Sequence, residues 1–222
     1  DFETPVVLRM AKFQLVGSQW RSYEKTLQEA PDNKDVDNPF TVSVVNIEEN
    51  GDFMATDGQG EVKSIPYELP PGVEREQDNT TQYTRQANEQ SLQICVEDLD
   101  DGEANAVYKN LTVDMINYGR LKMFFHAQPN GETTVGNKEM SAFIRLGTDF
   151  ENNFYEIEVP LDITPENVGN DRRAIWPLAN EIDIALDALY SLKSARNRAR
   201  GESQNYEELY TGDHTNENGT TY

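Results

Sequence analysis

Apolar residues that recur at every second position are the feature that most constrains what this chain can fold into. Four stretches show the pattern: Leu92/Ile94/Val96, Leu121/Met123/Phe125/Ala127, Ala142/Ile144/Leu146 and Tyr155/Ile157/Val159/Leu161. Successive side chains of a β-strand point to opposite faces, so each stretch predicts a strand with one buried face. Turn dipeptides such as Asn50-Gly51 and Asn130-Gly131 separate the apolar runs. Many short strands punctuated in this way are typical of an antiparallel sandwich or barrel.

The stretch 121–127 predicts a central strand whose buried face carries Met123 and Phe125. Phe124 has the opposite parity, and we expect its face to meet solvent or a loop.

Residues 181–200 have the period of a helix. Ile182, Leu186 and Leu189 fall on one stripe, Asn180 can serve as the N-cap, and basic residues gather at the C-terminal end. We therefore predict one β-sandwich domain over residues 1–200, with the helix 181–200 as its last element and as a docking element. Residues 201–222 are polar and are predicted to form a poorly ordered tail.

The charge of the chain excludes several classes of partner. Forty acidic residues against nineteen basic ones give a formal net charge of -21. Nucleic acid needs a basic surface and is therefore excluded as a partner, and an anionic membrane surface is disfavoured. No apolar stretch is long enough for a transmembrane helix. The single cysteine, Cys95, rules out a disulfide within the chain.

Five segments occur in an order that resembles one known family. They are YELPPGVERE at 67–76, NEQSLQICVEDLDD at 88–101, AVYKNLTVDMINYGRLKMFFHA at 106–127, AFIRLGTDFENNFYEIEVPL at 142–161 and WPLANEIDIALDALYSLKSARN at 176–197. Together with LRMAKFQLVGSQWRSY at 8–23, this succession resembles the SprA (Sov) family of gliding-motility and type IX secretion proteins of Bacteroidetes. The resemblance covers nearly the whole chain.

The resemblance implies a role in protein transport. Members of that family are giant outer-membrane proteins that pass folded cargo to the cell surface. This chain would then be an internal soluble domain, extracytoplasmic and outer membrane-associated, on the cell surface or the periplasmic side. Its expected function is structural and non-catalytic, with the rest of the parent translocon and associated secretion proteins as partners.

The core segments also resemble carbohydrate-binding, galactose-binding-like modules. This resemblance implies a mainly β fold, an antiparallel jelly-roll β-sandwich with a C-terminal helix. It leaves two alternative functions open, a carbohydrate-binding module and a jelly-roll glycoside hydrolase.

A glycosidase-like motif follows Trp176-Pro177. Glu181 and Asp183 resemble the carboxylates of laminarinase-type enzymes. Retaining hydrolysis needs two carboxyl groups about 5–5.5 Å apart, one of which acts as general acid. The acid/base position would fall on Ala185 or Leu186, which cannot transfer a proton. We therefore predict no catalytic residue and no enzymatic activity.

Three aromatic residues are candidates for binding sugar by stacking: Trp20, Tyr23 and Trp176. The alternative for each is packing in the core or at a sheet edge, because large aromatic side chains carry much of a domain's burial.

One acidic turn is a candidate for metal binding. Asp98, Asp100 and Asp101 could hold a structural calcium ion, which takes six to eight oxygen ligands, or could form a solvated turn. No other cofactor is indicated. His126 and Cys95 fit structural roles, and Arg145 is expected to form an ion pair with Glu156 or Glu158.

Overall fold

The structure is a computed structural model that describes residues 20–23, 27, 40–51, 65–78, 85–97, 99, 102–129, 134–165, 168–200, 209–216 and 219–222. Its strands are β1 (Arg21–Ser22), β2 (Phe40–Asn46), β3 (Gln77–Asp78), β4 (Arg85–Gln86), β5 (Gln90–Val96), β6 (Val107–Tyr108), β7 (Arg120–Phe124), β8 (Ser141–Gly147), β9 (Phe154–Pro160) and β10 (Glu181–Ala185). Its helices are α1 (Ile47–Asn50), α2 (Arg172–Ile175) and α3 (Leu186–Arg200), with 3₁₀ turns at Met115–Asn117 and Leu178–Asn180.

The described strands form antiparallel pairs, which confirms the prediction of a mainly β chain. The pairs are β1–β6, β2–β5, β3–β4, β7–β10 and β8–β9. The pairs β3–β4 and β8–β9 each join strands that are consecutive in the chain, and the turn between β8 and β9 is held by Asp149. The Asp149 carboxylate accepts hydrogen bonds from the backbone amides of Glu151, Asn152 and Asn153. These bonds, with that of Asn152 the strongest, hold the pKa of Asp149 well below its usual range.

The first core cluster lies between β7–β10 and β8–β9. Ile157 and Val159 of β9 meet Ile182 and Ile184 of β10, and all four are buried. Ala142, Ile144, Leu146, Leu121, Met123 and Phe125 pack against them. Three of the four alternating stretches therefore place their apolar faces as the sequence predicts. Burial of each such side chain contributes about 1.5–3 kcal/mol.

A second core cluster covers the other face of β7. It consists of Tyr67, Leu69, Ile175 and Trp176. Phe124 packs against this cluster, with its ring centroid 6.5 Å from that of Trp176. The expectation that the Phe124 face meets solvent or a loop is therefore wrong, because the segment around Trp176 forms a third layer on that side.

The helix predicted over 181–200 begins five residues later than expected. Residues 181–185 form β10, which pairs with β7 in the register Ile182↔Met123 and Ile184↔Leu121. The helix α3 starts at Leu186, which is buried in the first cluster together with Leu189. Ile182 and Leu186 are four residues apart, which matches the spacing of one helix face. The structure instead places Ile182 on a strand and Leu186 on a helix, and both side chains pack in the first cluster.

Asn180 does not cap a helix, contrary to the prediction. It is fully buried, and its Nδ2 donates to the carbonyl oxygen of Asp162 while its Oδ1 accepts from the Asp162 amide, at 2.8 and 2.7 Å. The side-chain amide of Asn180 thus donates one hydrogen bond to the backbone of Asp162 and accepts one from it, as a paired residue of a neighbouring strand does. It ties the end of β9 to the start of β10.

The described C-terminal residues return to β10. Thr215 and Thr221 form an isolated antiparallel bridge, and the Tyr222 ring packs against the first cluster. The Tyr222 hydroxyl accepts from the amide of Asp183 and donates to the carbonyl of Glu181, both at 2.8 Å. These contacts link the described end of the chain to β10. The poorly ordered tail over residues 201–222 stays a prediction. The division of the chain at residue 200 stays a prediction.

Candidate interaction surface

The carboxylates of the glycosidase-like motif are held by basic side chains. Asp183 is buried and lies 2.8 Å from both Arg120 Nη2 and Lys122 Nζ, which project from the paired strand β7. Burial raises the pKa of Asp183, but hydrogen bonds and charge from Lys122 and Arg120 outweigh it and leave the pKa lowered. Glu181, also buried, lies 3.4 Å from Arg173 Nη1.

The position where a glycosidase would carry its acid/base residue holds apolar side chains, as the sequence indicates. Ala185 ends β10, and Leu186 begins α3 with its side chain in the first core cluster. Neither residue has a proton to transfer. On the face of β10 that turns away from the first cluster, Asp183 pairs with basic residues of the neighbouring strand β7 and Glu181 pairs with Arg173 of α2.

The three candidate sugar-binding aromatics occupy different environments. Trp176 is only 6% exposed, and its Nε1 donates to the carbonyl of Glu68 at 2.9 Å. Its indole is therefore a core residue and presents no open face for stacking, which corrects the binding interpretation of Trp176. Trp20, next to β1, is 37% exposed. Tyr23 is half-buried against Phe150, with ring centroids 4.9 Å apart.

The candidate calcium ligands Asp98, Asp100 and Asp101 lie outside the described residues, and calcium binding there stays a prediction. Among the residues that the structure describes, no group of three or more His, Cys, Asp or Glu side chains could hold a metal ion. Cys95 is half-buried on β5.

The expected ion pair of Arg145 is confirmed with Glu156, its direct cross-strand neighbour. The Arg145 guanidinium also lies over the Phe154 ring, 4.2 Å from its centroid, and donates to the carbonyl of Phe150 at 2.6 Å. This cluster fastens the β8–β9 turn to the aromatic rings beside β1 and β6, because Tyr23 and Tyr108 both pack on Phe150.

The helix α3 does not offer an apolar docking stripe, contrary to the prediction. Leu186 and Leu189, the residues of the predicted stripe that lie on α3, are buried in the first core cluster. Tyr190 is an exposed apolar side chain of the helix, at 44%.

Exposed apolar side chains gather instead in the segment between β6 and β7. We call residues 109–119 the apolar ridge. Four of its large apolar side chains face solvent: Leu111 at 63%, Val113 at 46%, Ile116 at 82% and Tyr118 at 57%. Because four such side chains fall within eight residues, the segment is a candidate interaction site.

The apolar ridge contacts the first core cluster, the start of α3 and its own backbone. Met115 packs against the first core cluster. The Asp114 carboxylate accepts from the Ile116 amide at 3.2 Å and from Asn117 Nδ2 at 3.3 Å, capping the 3₁₀ turn. The amide of Leu186 donates to the carbonyl of Gly119 at 3.1 Å, which fixes the end of the ridge to the start of α3.

Sequence reasoning missed the apolar ridge because its apolar residues follow neither a strand nor a helix period. The available signal was the density of apolar residues in LTVDMINY at 111–118 between two strands. Met115 and Ile116 are adjacent in sequence, and only the structure shows that Met115 packs against the core while Ile116 is exposed.

No helix in the described part of the chain is long and apolar enough to cross a membrane. The SprA_N family, described as motility related/secretion protein, matches residues 1–221. The chain therefore belongs to this family of secretion and motility proteins, which confirms the resemblance seen in the sequence. No curated protein matches the chain.

Proposed function

We propose that the chain is a non-catalytic structural and interaction domain of a large outer-membrane translocon for type IX secretion and gliding motility. Its family membership supports the secretion context. The single observation that carries the interaction role is the apolar ridge, where four large apolar side chains are exposed on a turn pinned by Met115 and Asp114. Its proposed partners are the rest of the parent translocon and associated secretion proteins, on the extracytoplasmic side of the outer membrane.

A non-catalytic role is supported by the state of the acidic motif. Glu181 and Asp183 both contact basic side chains, and an acid/base catalyst is missing at Ala185 and Leu186. A general acid must be able to give up a proton to the leaving group, which neither side chain does.

We further propose that the strand pairs belong to a jelly-roll sandwich of the galactose-binding-like kind, followed by the helix α3. The pairs β7–β10 and β8–β9 support this, because their apolar faces meet across the first core cluster as the two sheets of a sandwich do.

The proposed function is tested in cells that make the full parent protein. Leu111, Val113, Ile116 and Tyr118 are replaced together by Ser, and secretion of cargo to the cell surface and spreading on agar are measured. We expect both to be lost while the variant still reaches the outer membrane in normal amounts.

A matched control replaces Tyr190 and Leu209 by Ser, since these side chains are also exposed and apolar but lie outside the ridge. Normal secretion by the ridge variant, at normal protein levels, would show that the ridge does not serve the translocon.

A further inference from the structure

We propose that the C-terminal half of α3 is a docking surface for a short acidic segment of a partner protein. We call residues 193–200 of this helix the basic end. The inference concerns a surface separate from the apolar ridge and goes beyond the function proposed above. It follows from the local charge of α3, from the ion pairs of the described residues and from the place where the core ends along the helix.

The basic end concentrates positive charge on an acidic chain. Lys193, Arg196, Arg198 and Arg200 fall within eight residues, and the one acidic residue of α3 is Asp187, in its first turn. Residues 186–200 therefore carry a formal charge of +3, which leaves -24 for the rest of the chain. The helix dipole favours cations in the last turn only. Lys193 lies about two turns before the end of α3, so the dipole does not account for it.

The described basic side chains of the basic end form no ion pair with another described residue. Six ion pairs join basic to acidic side chains in the described part of the chain, and all six lie outside α3. Lys193 and Arg198 are exposed, and Arg196 is half-buried. Arg198 Nη1 donates a hydrogen bond to Ser194 Oγ at 3.4 Å, and this hydroxyl is neutral. Carboxylates of another protein can therefore pair with these ammonium and guanidinium groups.

The basic end continues a helix face that begins in the core. Leu189 is buried in the first core cluster, and among the described residues neither core cluster includes a residue of α3 beyond it. Lys193 and Arg196 follow Leu189 by four and seven residues, so they lie on the same face of the helix. The distance along the helix axis from Lys193 to Arg198 is about 7.5 Å. Two or three residues of an extended segment cover this distance, so the basic end fits a short segment.

An acidic protein segment fits the basic end better than an anionic lipid surface does. A helix that lies on a membrane must bury an apolar face at the lipid surface. The apolar side chains Leu186 and Leu189 are instead buried inside the protein. A lipid surface is also extended and would face the acidic remainder of the chain, at -24. A short segment needs to approach α3 alone.

The test measures binding of a fluorescent peptide of about twelve residues, in which Glu and Ser alternate, to the full 222-residue chain. Fluorescence anisotropy is recorded at about 20 mM salt, where charge attraction is weakly screened. We expect saturable binding by the wild type. The basic-end variant combines Lys193→Gln, Arg196→Gln and Arg198→Gln. Each exposed ion pair changes an affinity by up to about fivefold, so the triple variant should bind the peptide about tenfold more weakly.

A matched control variant combines Arg21→Gln, Lys109→Gln and Lys138→Gln, which remove three positive charges outside α3. Both variants have the same formal net charge, so a loss of affinity confined to the basic-end variant separates the helix from the overall field of the protein. We expect the control variant to bind the peptide as the wild type does. Far-UV circular dichroism checks that both variants keep the helix, since Gln is a good helix former.

Several outcomes would overturn the inference. They are the absence of peptide binding by the wild type, equal weakening in the two variants, and an affinity that stays unchanged at about 0.5 M salt. Binding to vesicles with about one-third anionic phospholipid, lost in the basic-end variant alone, would make lipid the partner. A rise in peptide affinity after Glu202→Gln, Glu207→Gln and Glu208→Gln would show that acidic residues of the same chain occupy the basic end. All these variants leave the apolar ridge unchanged, so the result is independent of the proposed function.

Discussion

Acidification should destabilise the fold through His126. The ring nitrogen Nε2 of His126 is buried and has no hydrogen-bond partner among the residues that the structure describes. The imidazole packs edge-on against Trp176, with ring centroids 5.7 Å apart. Burial disfavours the charged form and lowers the pKa of His126 from 6.5 to about 4.

The direction of the change in the free energy of unfolding depends on whether the folded or the unfolded chain binds the proton on His126. Between pH 6.5 and about 4 the unfolded chain holds a proton on His126 and the folded chain does not, so the free energy of unfolding falls as the pH falls. The loss is about 1.4 kcal/mol per pH unit inside this window, reaching about 2 kcal/mol at pH 5 and about 3 kcal/mol near pH 4. For a chain of this size, 2 kcal/mol corresponds to a decrease in Tm of about 4–8 °C.

The assay is chemical unfolding at pH 7, 6, 5 and 4.5, for the wild type and for His126→Phe. The variant keeps an aromatic ring against Trp176 and removes the titrating group, so titration of all other side chains cancels in the comparison. We expect the wild type to lose about 2 kcal/mol more than the variant between pH 7 and pH 5. If the free energy of unfolding falls equally with pH in the two proteins, the loss does not come from His126.

Four further substitutions test the packing around β7 and β10, each measured by urea unfolding. Phe124→Ala and Phe125→Ala should each cost about 2–4 kcal/mol, because the rings belong to different core clusters; little loss at Phe124 would show that its face is open. Tyr222→Phe should cost about 1–3 kcal/mol, since the amide of Asp183 and the carbonyl of Glu181 lose their partner; an unchanged midpoint would contradict this contact. Asp183→Asn should cost about 1–3 kcal/mol at pH 7. It should also lose less stability than the wild type below pH about 4, because the lowered pKa of Asp183 makes its contribution disappear only as the pH falls through that range; equal acid sensitivity would argue against the ion pairs.

The strands could be predicted from the sequence wherever one face alone is apolar. Ile157 and Val159 alternate with Glu156 and Glu158, and the structure buries the apolar pair as expected. The pattern fails where both faces are covered. Phe124 gave no sign of its burial, because the residues that cover it, Tyr67 and Trp176, are distant in sequence.

The boundary at residue 186 could not be predicted because two periods coincide there. Ile182 and Ile184 satisfy a strand, while Ile182 and Leu186 also satisfy a helix. Pairing with β7, about sixty residues earlier in the chain, decides between them. The apolar ridge was missed for a related reason, since the exposure of Ile116 depends on Met115 being the neighbour that packs against the core.

The contact between Tyr222 and β10 has a consequence for self-association. A strand edge with unsatisfied amide and carbonyl groups is a template on which another chain can add a strand. The Tyr222 hydroxyl satisfies one such amide and one such carbonyl on β10, but a phenol, unlike a strand, offers no new edge of its own. The phenol thereby occupies two of the groups on this edge of β10 without enlarging the sheet, and detachment of Tyr222 would free both of them for pairing with another chain beside the buried Ile182.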